Sequence, residues 1–198
     1  AEITVLTMGP GRAAEIIREG LYRGADKGYL LTDRKFAGSD TLATSYAISA
    51  AIKKLGEFDI IFGGRQAIDG DTAQVGPQCA DKQKIYQVTY VEEIIESNDK
   101  EIIVRRRLEK GVETVSSPFP CLMTVHGSSK ACRSRHAKNV MKYKYARSKT
   151  EMRKGDPILE ELHKKRPYLV IPEWSVEDIE ADETKIGLAG SPTKVKSV

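Results

Sequence analysis

Phe58-Asp59-Ile60-Ile61-Phe62-Gly63-Gly64-Arg65-Gln66-Ala67-Ile68-Asp69-Gly70-Asp71-Thr72-Ala73-Gln74-Val75-Gly76-Pro77-Gln78 decides how this chain is read. The apolar run 58–62 reads as a buried strand, and the small and polar residues after the glycines suit the opening of a helix. A strand, a glycine-bearing loop and a helix N-terminus together present backbone N–H groups to an anion. Gly63, Gly64, Gly70 and Gly76 have no side chain to block a pyrophosphate. N–H groups around Thr72 to Gly76 would point at it, with the Thr72 and Gln74 side chains as further donors. Asp69 and Asp71 count against this, because carboxylates repel phosphate. They are expected to turn away as turn or cap residues, or to accept bonds from a ribose or the backbone. On residue chemistry alone, a phosphate site and an ordinary polar loop both remain open.

Upstream, residues 3–8 read as a strand ending at Gly9-Pro10-Gly11. Ala13, Ile16, Ile17, Gly20, Leu21 and Gly24 keep one apolar face at helical spacing, and Gly28 to Thr32 is a second strand. Asp40 is placed to cap a helix running to about Leu55, with Leu42, Ser45, Ile48, Ile52 and Leu55 on its buried face. The resulting β-α-β-α-β-α order predicts an α/β fold, a doubly wound and mainly parallel sheet. Ligands of such sheets sit beyond the carboxyl ends of the strands. Thr7-Met8-Gly9-Pro10, Phe36 to Thr41 and Gly64 to Gly76 are the segments expected to converge there.

Downstream the pattern changes. Gln87 to Val91 reads as a strand, Glu101 to Leu108 and Val112 to Val115 as an antiparallel hairpin turning at Lys110-Gly111, and Pro120 to Val125 as a further strand. Residues 1–149 are expected to form the nucleotide-binding domain with this added hairpin. Residues 150–198 read as an irregular extension, with short helices at Pro157 to Lys165 and Val176 to Ile186, contacting a partner subunit. The tail from Gly187 to Thr193 has too little apolar periodicity to pack alone and is expected to lie against another element.

The 198 residues are 40% hydrophobic and carry a net charge of +4. No apolar run approaches the roughly 20 residues that span a bilayer, and no basic leader precedes the first strand. Cys79, Cys121 and Cys132 lack metal-type spacing and read as reduced thiols, which makes the cytoplasm the expected location. No Ser/His/Asp, Cys/His or metal-ligand arrangement stands out. His126 and His163 read as ordinary surface or edge residues, and Trp174 as a packing anchor. Lys130 to Lys149 holds eight Lys or Arg and no acid, against 24 basic and 28 acidic residues elsewhere. Such a block suits nucleic acid, an acidic protein surface or water. Its tyrosines and lysines fit stacking and phosphate pairing, but no nucleic-acid motif accompanies them.

Gly64 to Gly76 resembles, almost letter for letter, the adenine-nucleotide segment of electron-transfer flavoprotein β subunits. Glu109-Lys110-Gly111-Val112-Glu113-Thr114-Val115, then Pro120-Cys121-Leu122-Met123-Thr124, are similar to the same family and occur in its order. Gly190-Ser191-Pro192-Thr193-Lys194-Val195 is similar too, so the resemblance runs over essentially the whole chain. It implies an electron-carrier subunit rather than a stand-alone enzyme. Paired with an α subunit, it would pass electrons through FAD from a donor, NADH being the candidate, to a dehydrogenase or ferredoxin. It implies cofactor contacts from Thr7, Met8 and Gly9, from Asp40, Thr41 and Thr44, and from Gly64, Arg65, Gln66, Asp69, Gly70, Asp71, Thr72, Ala73, Gln74 and Val75.

Some β subunits of the family hold AMP and others, the bifurcating type, a second FAD. Asp33 to Ser45 resembles the bifurcating pattern, in which Thr41 and Thr44, one helical turn apart, would face a flavin ring. FAD is therefore the expected ligand and AMP the alternative. Residues 133–145 resemble the segment that docks an acyl-CoA or related dehydrogenase, although Ala137-Lys138 stands where that loop has its leucine. Gln83 and Tyr86 replace an apolar residue and a proline often found in the family. Its first strand, with a Lys-x-Val-Pro-type turn, and its C-terminal arm are not among these residues. Ala37-Gly38-Ser39-Asp40-Thr41 also faintly resembles the phosphate loop of ATP pyrophosphatases, but follows the second strand rather than the first. A nucleotide-sensing module is the third reading.

Overall fold

The computed structural model describes residues 1–68, 70–152 and 156–193. In chain order its elements are β1 (Thr4–Met8), α1 (Ala14–Tyr22), β2 (Lys27–Leu31), α2 (Thr41–Leu55), β3 (Ile60–Gly64), α3 (Val75–Gln83) and β4 (Tyr86–Ser97). They continue with β5 (Glu101–Leu108), β6 (Gly111–Pro118), β7 (Cys121–Val125), α4 (Ala137–Tyr143), β8 (Arg147–Ser148), α5 (Pro157–Lys165), β9 (Val170–Ile171) and β10 (Glu173–Trp174). The chain is α/β with mixed sheets. It divides into two compact units, one built from Ala1–Ala37 with Cys132–Ala181 and the other from Gly38–Ala131 with the chain from Asp182 onward.

In the first unit β1 and β2 pair in parallel, joined by the α1 crossover that a parallel pair requires. Ala14, Ile17 and Leu21 share one helical face and are buried with Leu30, Tyr143, Leu169 and Ile171. Glycine permits the close contact. A Cβ at Gly28 would lie 2.1 Å from Ile17 Cγ2, and one at Gly20 would lie 2.6 Å from Val5 Cγ2. β10 adds to the other edge of β2, and the Trp174 ring stacks on Tyr29 at 4.3 Å, the anchoring role expected of it. Arg18 holds Glu151 in a two-pronged pair, at 2.6 and 2.9 Å.

In the second unit the sheet order is β3-β7-β4-β5-β6. β3, β7 and the first half of β4 are parallel, while β4-β5-β6 is the antiparallel addition. Alternation along β7 divides the core. Cys121 and Met123 face Val88, Val91, Ile102 and Val104, whereas Leu122 faces Cys79 and Ala80 of α3. Gly76 is glycine for packing, since a Cβ there would lie 2.6 Å from Thr124 Cγ2. That replaces the reading of Gly76 as open space for a ligand. The Cys79, Cys121 and Cys132 thiols are free, and burial pushes the Cys79 and Cys121 thiols above their ordinary pKa. Among the described residues no helix is long and apolar enough to cross a membrane.

Several expectations are corrected. The apolar run at 58–62 starts its strand at Ile60, and Phe62 is 53% exposed because β3 is the edge of its sheet. Ile16, Leu42 and Leu55 are exposed, and α2 instead buries Ala43, Ser45, Ala47, Ser49, Ala51 and Ile52. His163 is buried, with Nε2 3.0 Å from the Tyr145 carbonyl. That nitrogen therefore carries a proton, since a carbonyl only accepts. The segment 176–186 is turns and one 3₁₀ turn rather than a helix. Ser175 and Asp178 bond each other's backbone N–H, as Asp182 bonds that of Thr184, and these local bonds compete with the helical ladder.

Gly28→Ala is expected to lower stability by about 1–3 kcal/mol, because the added methyl overpacks the α1 contact. Denaturant unfolding checks this, and an unchanged midpoint would refute the close contact.

Candidate functional site

The N-termini of α2 and α3 lie side by side. Thr41 Oγ1 donates to Gln74 Oε1 at 2.8 Å, Ser45 Oγ to Gln78 Oε1 at 2.8 Å, and Gln83 Nε2 to the Ser49 carbonyl at 2.7 Å. The α2 positions are one turn apart, so the bonds form a ladder between two parallel helices. Gln83, the residue noted as unlike the family, is a rung of it. Ser45, Gln78 and Gln83 are not among the expected site residues: Ser45 reads as part of the buried face of α2, and nothing local to Gln78 or Gln83 reveals a partner on another helix.

The two helix ends differ in charge. Asp40 caps α2, its Oδ1 accepting from the Leu42 and Ala43 N–H groups, each at 3.0 Å. Its Oδ2 accepts from Thr193 N at 3.2 Å and Thr193 Oγ1 at 2.9 Å. Burial opposes ionisation of Asp40, but the bonds from Ala43, Thr193 and Leu42 outweigh it and hold the carboxyl below its ordinary pKa. Thr44 N donates to the Asp40 carbonyl at 2.9 Å in the same first turn. α3, by contrast, begins after Gln74 with no side-chain cap. Among the described residues, no N–H from Thr72 to Gly76 donates to a protein acceptor. The positive end of α3 is thus open where that of α2 is already neutralised.

The loop before α3 is held in an unusual backbone path. Asp71 (φ +48°) and Ala73 (φ +53°) occupy the left-handed region without being glycine, a conformation that costs of order 1 kcal/mol or more and clusters at functional sites. Left-handed Ala73 followed by right-handed Gln74 is the alternation that turns successive N–H groups into an anion-binding concavity. Asp71 is drawn aside, its Oδ1 accepting from Gln66 Nε2 at 2.7 Å. A Cβ built on Gly63 or Gly64 meets nothing within 4 Å, and Gly70 has only Thr72 Cγ2 at 3.8 Å. Arg65 NH1 lies 3.4 Å from His126 Nε2, and Ser128 connects that ring to Glu92. Val75 opens α3. Asp69 lies outside the described residues. Thr7 and Met8 close β1 in the first unit, where Gly9 N donates to the Leu31 carbonyl at 2.9 Å. Asp40 to Thr44 and Gly64 to Val75 belong to the second unit.

An uncapped helix start, a left-handed turn and open glycines define a loop suited to a phosphate-bearing ligand. Residues 1–151 match the electron transfer flavoprotein domain, and the chain belongs to that flavin-associated family. It is 43% identical over 203 residues to the protein FixA of Sinorhizobium fredii, covering all of this chain and 64% of that protein. It is also 43% identical over 194 residues to the electron transfer flavoprotein subunit beta of Thermoanaerobacterium thermosaccharolyticum, covering 98% of this chain and 65% of that protein. A shorter match, 53% identical over 123 residues, covers 62% of this chain and 47% of the caffeyl-CoA reductase-Etf complex subunit CarD of Acetobacterium woodii. The chain thus spans slightly under two thirds of the full-length relatives it matches.

Asp40 has a lower pKa folded than unfolded. Its contribution to stability is complete above the unfolded value of about 3.9 and is lost as pH falls through the lower folded value. Asp40→Asn keeps an N-cap acceptor but loses the charge and the Oδ2 acceptor facing Thr193. It is expected to cost about 1 kcal/mol at pH 7, with the deficit shrinking as the wild type is acidified below pH 4. Paired urea titrations at pH 7 and pH 3 read this directly, and a deficit that is the same at both would contradict it.

Proposed function

We propose that the chain is the β subunit of an electron transfer flavoprotein, and that Gly64 to Val75 with the first turn of α2 forms its nucleotide site. The observation that carries this reading is the run of N–H groups from Thr72 to Gly76, which among the described residues have no protein acceptor, at the open end of α3. A pyrophosphate would take those groups, with the open faces of Gly63 and Gly64 admitting it. Thr44, one turn along α2 from Thr41, would lie against the base or ring. When bound, FAD supplies the one- and two-electron chemistry. The residues here hold and orient it. Thr7, Met8, Gly9, Arg65 and Asp69 are proposed as further contacts on the family resemblance.

Pairing with an α subunit, electron input from NADH and output to a dehydrogenase or ferredoxin are parts of the same proposal, as is a cytoplasmic location. The CarD similarity supports a reductase-type acceptor. The exposed segment 131–138 at the start of α4 supports docking through residues 133–145, with 150–198 contacting the α subunit. Within that segment Arg135 pairs with Glu19 at 2.5 Å and Lys142 sits over the Tyr143 and Tyr168 rings at 4.7 and 5.2 Å. Arg135 and Lys142 thus have partners within the chain while remaining at its surface. AMP is the second reading, favoured by one feature: the Thr41 hydroxyl already donates to Gln74 and is committed within the protein.

Purifying the full-length protein with its α partner and quantifying released nucleotides separates the readings. The proposal expects two FAD per heterodimer. One FAD with one AMP would replace the bifurcating reading by the AMP one, and a colourless preparation without nucleotide would remove both.

A further inference from the structure

The tail, expected to lie against another element, packs on the start of α2. Within the second unit, Asp182 N donates to the Tyr46 hydroxyl at 3.0 Å, and Lys185 Nζ sits 5.6 Å from the Tyr46 ring centre. Ile186 is buried, and Gly187 N donates to Ser39 Oγ at 3.0 Å. The chain then turns back, Gly190 N donating to the Ile186 carbonyl at 2.9 Å. Only glycine fits at that turn, because a Cβ would lie 2.0 Å from the Lys185 carbonyl carbon. Ser191 Oγ accepts from Asp40 N at 2.8 Å and donates to the Gly187 carbonyl at 2.6 Å. Thr193 closes the contact with two bonds to Asp40 Oδ2.

Asp40 therefore has four donors on its carboxylate, two from α2 and two from the tail, and its own N–H is taken by Ser191. Nothing in it is left over for a nucleotide. Its next neighbour, Thr41, bonds Gln74, which follows the left-handed Ala73 and precedes α3. Two sets of hydrogen bonds, linked by the Asp40–Thr41 peptide bond, thus join the tail to the loop.

We propose that residues 182–193 are a strap that sets the geometry of the Gly64 to Val75 loop, with Ser191 and Thr193 as positioning residues acting through Asp40. The proposal rests on the nucleotide reading of that loop. Seating the strap fixes the start of α2, the start of α2 fixes Gln74, and Gln74 fixes the direction of the loop N–H groups. Coupling of this kind is reciprocal: a ligand in the loop tightens the strap by the factor by which the strap tightens the ligand. Hydrogen bonds from two side chains are at stake, which sets the scale at about tenfold.

The test compares the full-length protein with Ser191→Ala/Thr193→Val and with Thr193→Ser. Amide hydrogen exchange is measured without ligand, and AMP and FAD binding by calorimetry. In the double variant, exchange is expected to quicken about tenfold not only at 187–193 but also at 42–44 and at the Asp71 and Gln78 amides, which are bonded to the Ala67 and Gln74 carbonyls, with AMP or FAD held about tenfold more weakly. Thr193→Ser, which keeps the hydroxyl, is expected to match the wild type in both. Faster exchange confined to 187–193, with the Asp71 and Gln78 amides and nucleotide affinity unchanged, overturns the proposal. A wild type that binds neither AMP nor FAD overturns the nucleotide reading instead, and the exchange at Asp71 and Gln78 still decides whether the strap positions the loop.

Discussion

The second unit depends on a set of polar contacts between two helices. Thr41, Ser45 and Ser49 on α2 meet Gln74, Gln78 and Gln83 on α3. Ser45 is fully buried, and a hydroxyl removed from water costs about 1–3 kcal/mol if left unpaired, so its bond to Gln78 fixes register more tightly than apolar contact would, while Gln83 reaches the Ser49 backbone carbonyl. Ala43, Ala47 and Ala51 line the buried side of α2 and keep it slim. The consequence is alignment: both helix starts stand at one level, and the loop between β3 and α3 is held against the capped end of α2.

That alignment gives the two helix starts different roles. Asp40 neutralises one, and its second oxygen receives the chain's returning tail. The other remains uncapped behind a turn whose Asp71 and Ala73 are held in left-handed conformations. Local strain at Asp71 and Ala73 persists because the helices on one side and the sheet on the other over-determine the loop's ends. Gly76 supports this from below, letting α3 settle onto Thr124, whose hydroxyl accepts from Tyr90 N at 3.1 Å. The site is an arrangement of backbone held by side chains, which suits a cofactor carrier in which the bound group performs the chemistry.

Much of this was legible in the residues. The first strands and helices follow from local apolar spacing, and Asp40 was readable as a cap because Asp before a helical run has one dominant use. Other features depended on contacts distant in sequence. β4 runs to Ser97 through Glu92, Glu93 and Glu96, a stretch too charged to read as strand. Arg105 and Arg107 on the facing strand pair with Glu93 and Glu92 and make it one. Leu42 and Leu55 outrank alanine on any apolar scale, yet close approach to α3 selects the small residues. Val176, Ile179 and Ile186 are all buried, but among turns that Ser175, Asp178 and Asp182 stabilise locally. The loop's glycines suggested phosphate without deciding it. What sharpened that reading was the conformation of Asp71 and Ala73 and the diversion of Asp71 by Gln66, neither of which composition encodes.

The central claim is that the α2–α3 ladder, not the loop itself, sets the loop's conformation. Ser45 and Gln78 test it best, because Ser45 is fully buried and the pair lies one turn from the loop. A double-mutant cycle of Ser45→Ala and Gln78→Leu, with stability and exchange of the amides at 71 and 78, bonded to the Ala67 and Gln74 carbonyls, read on the same samples, isolates their interaction. The account predicts a coupling of about 1 kcal/mol and faster exchange at both amides in each single variant. Additive effects, with exchange at both amides unchanged throughout, would contradict it.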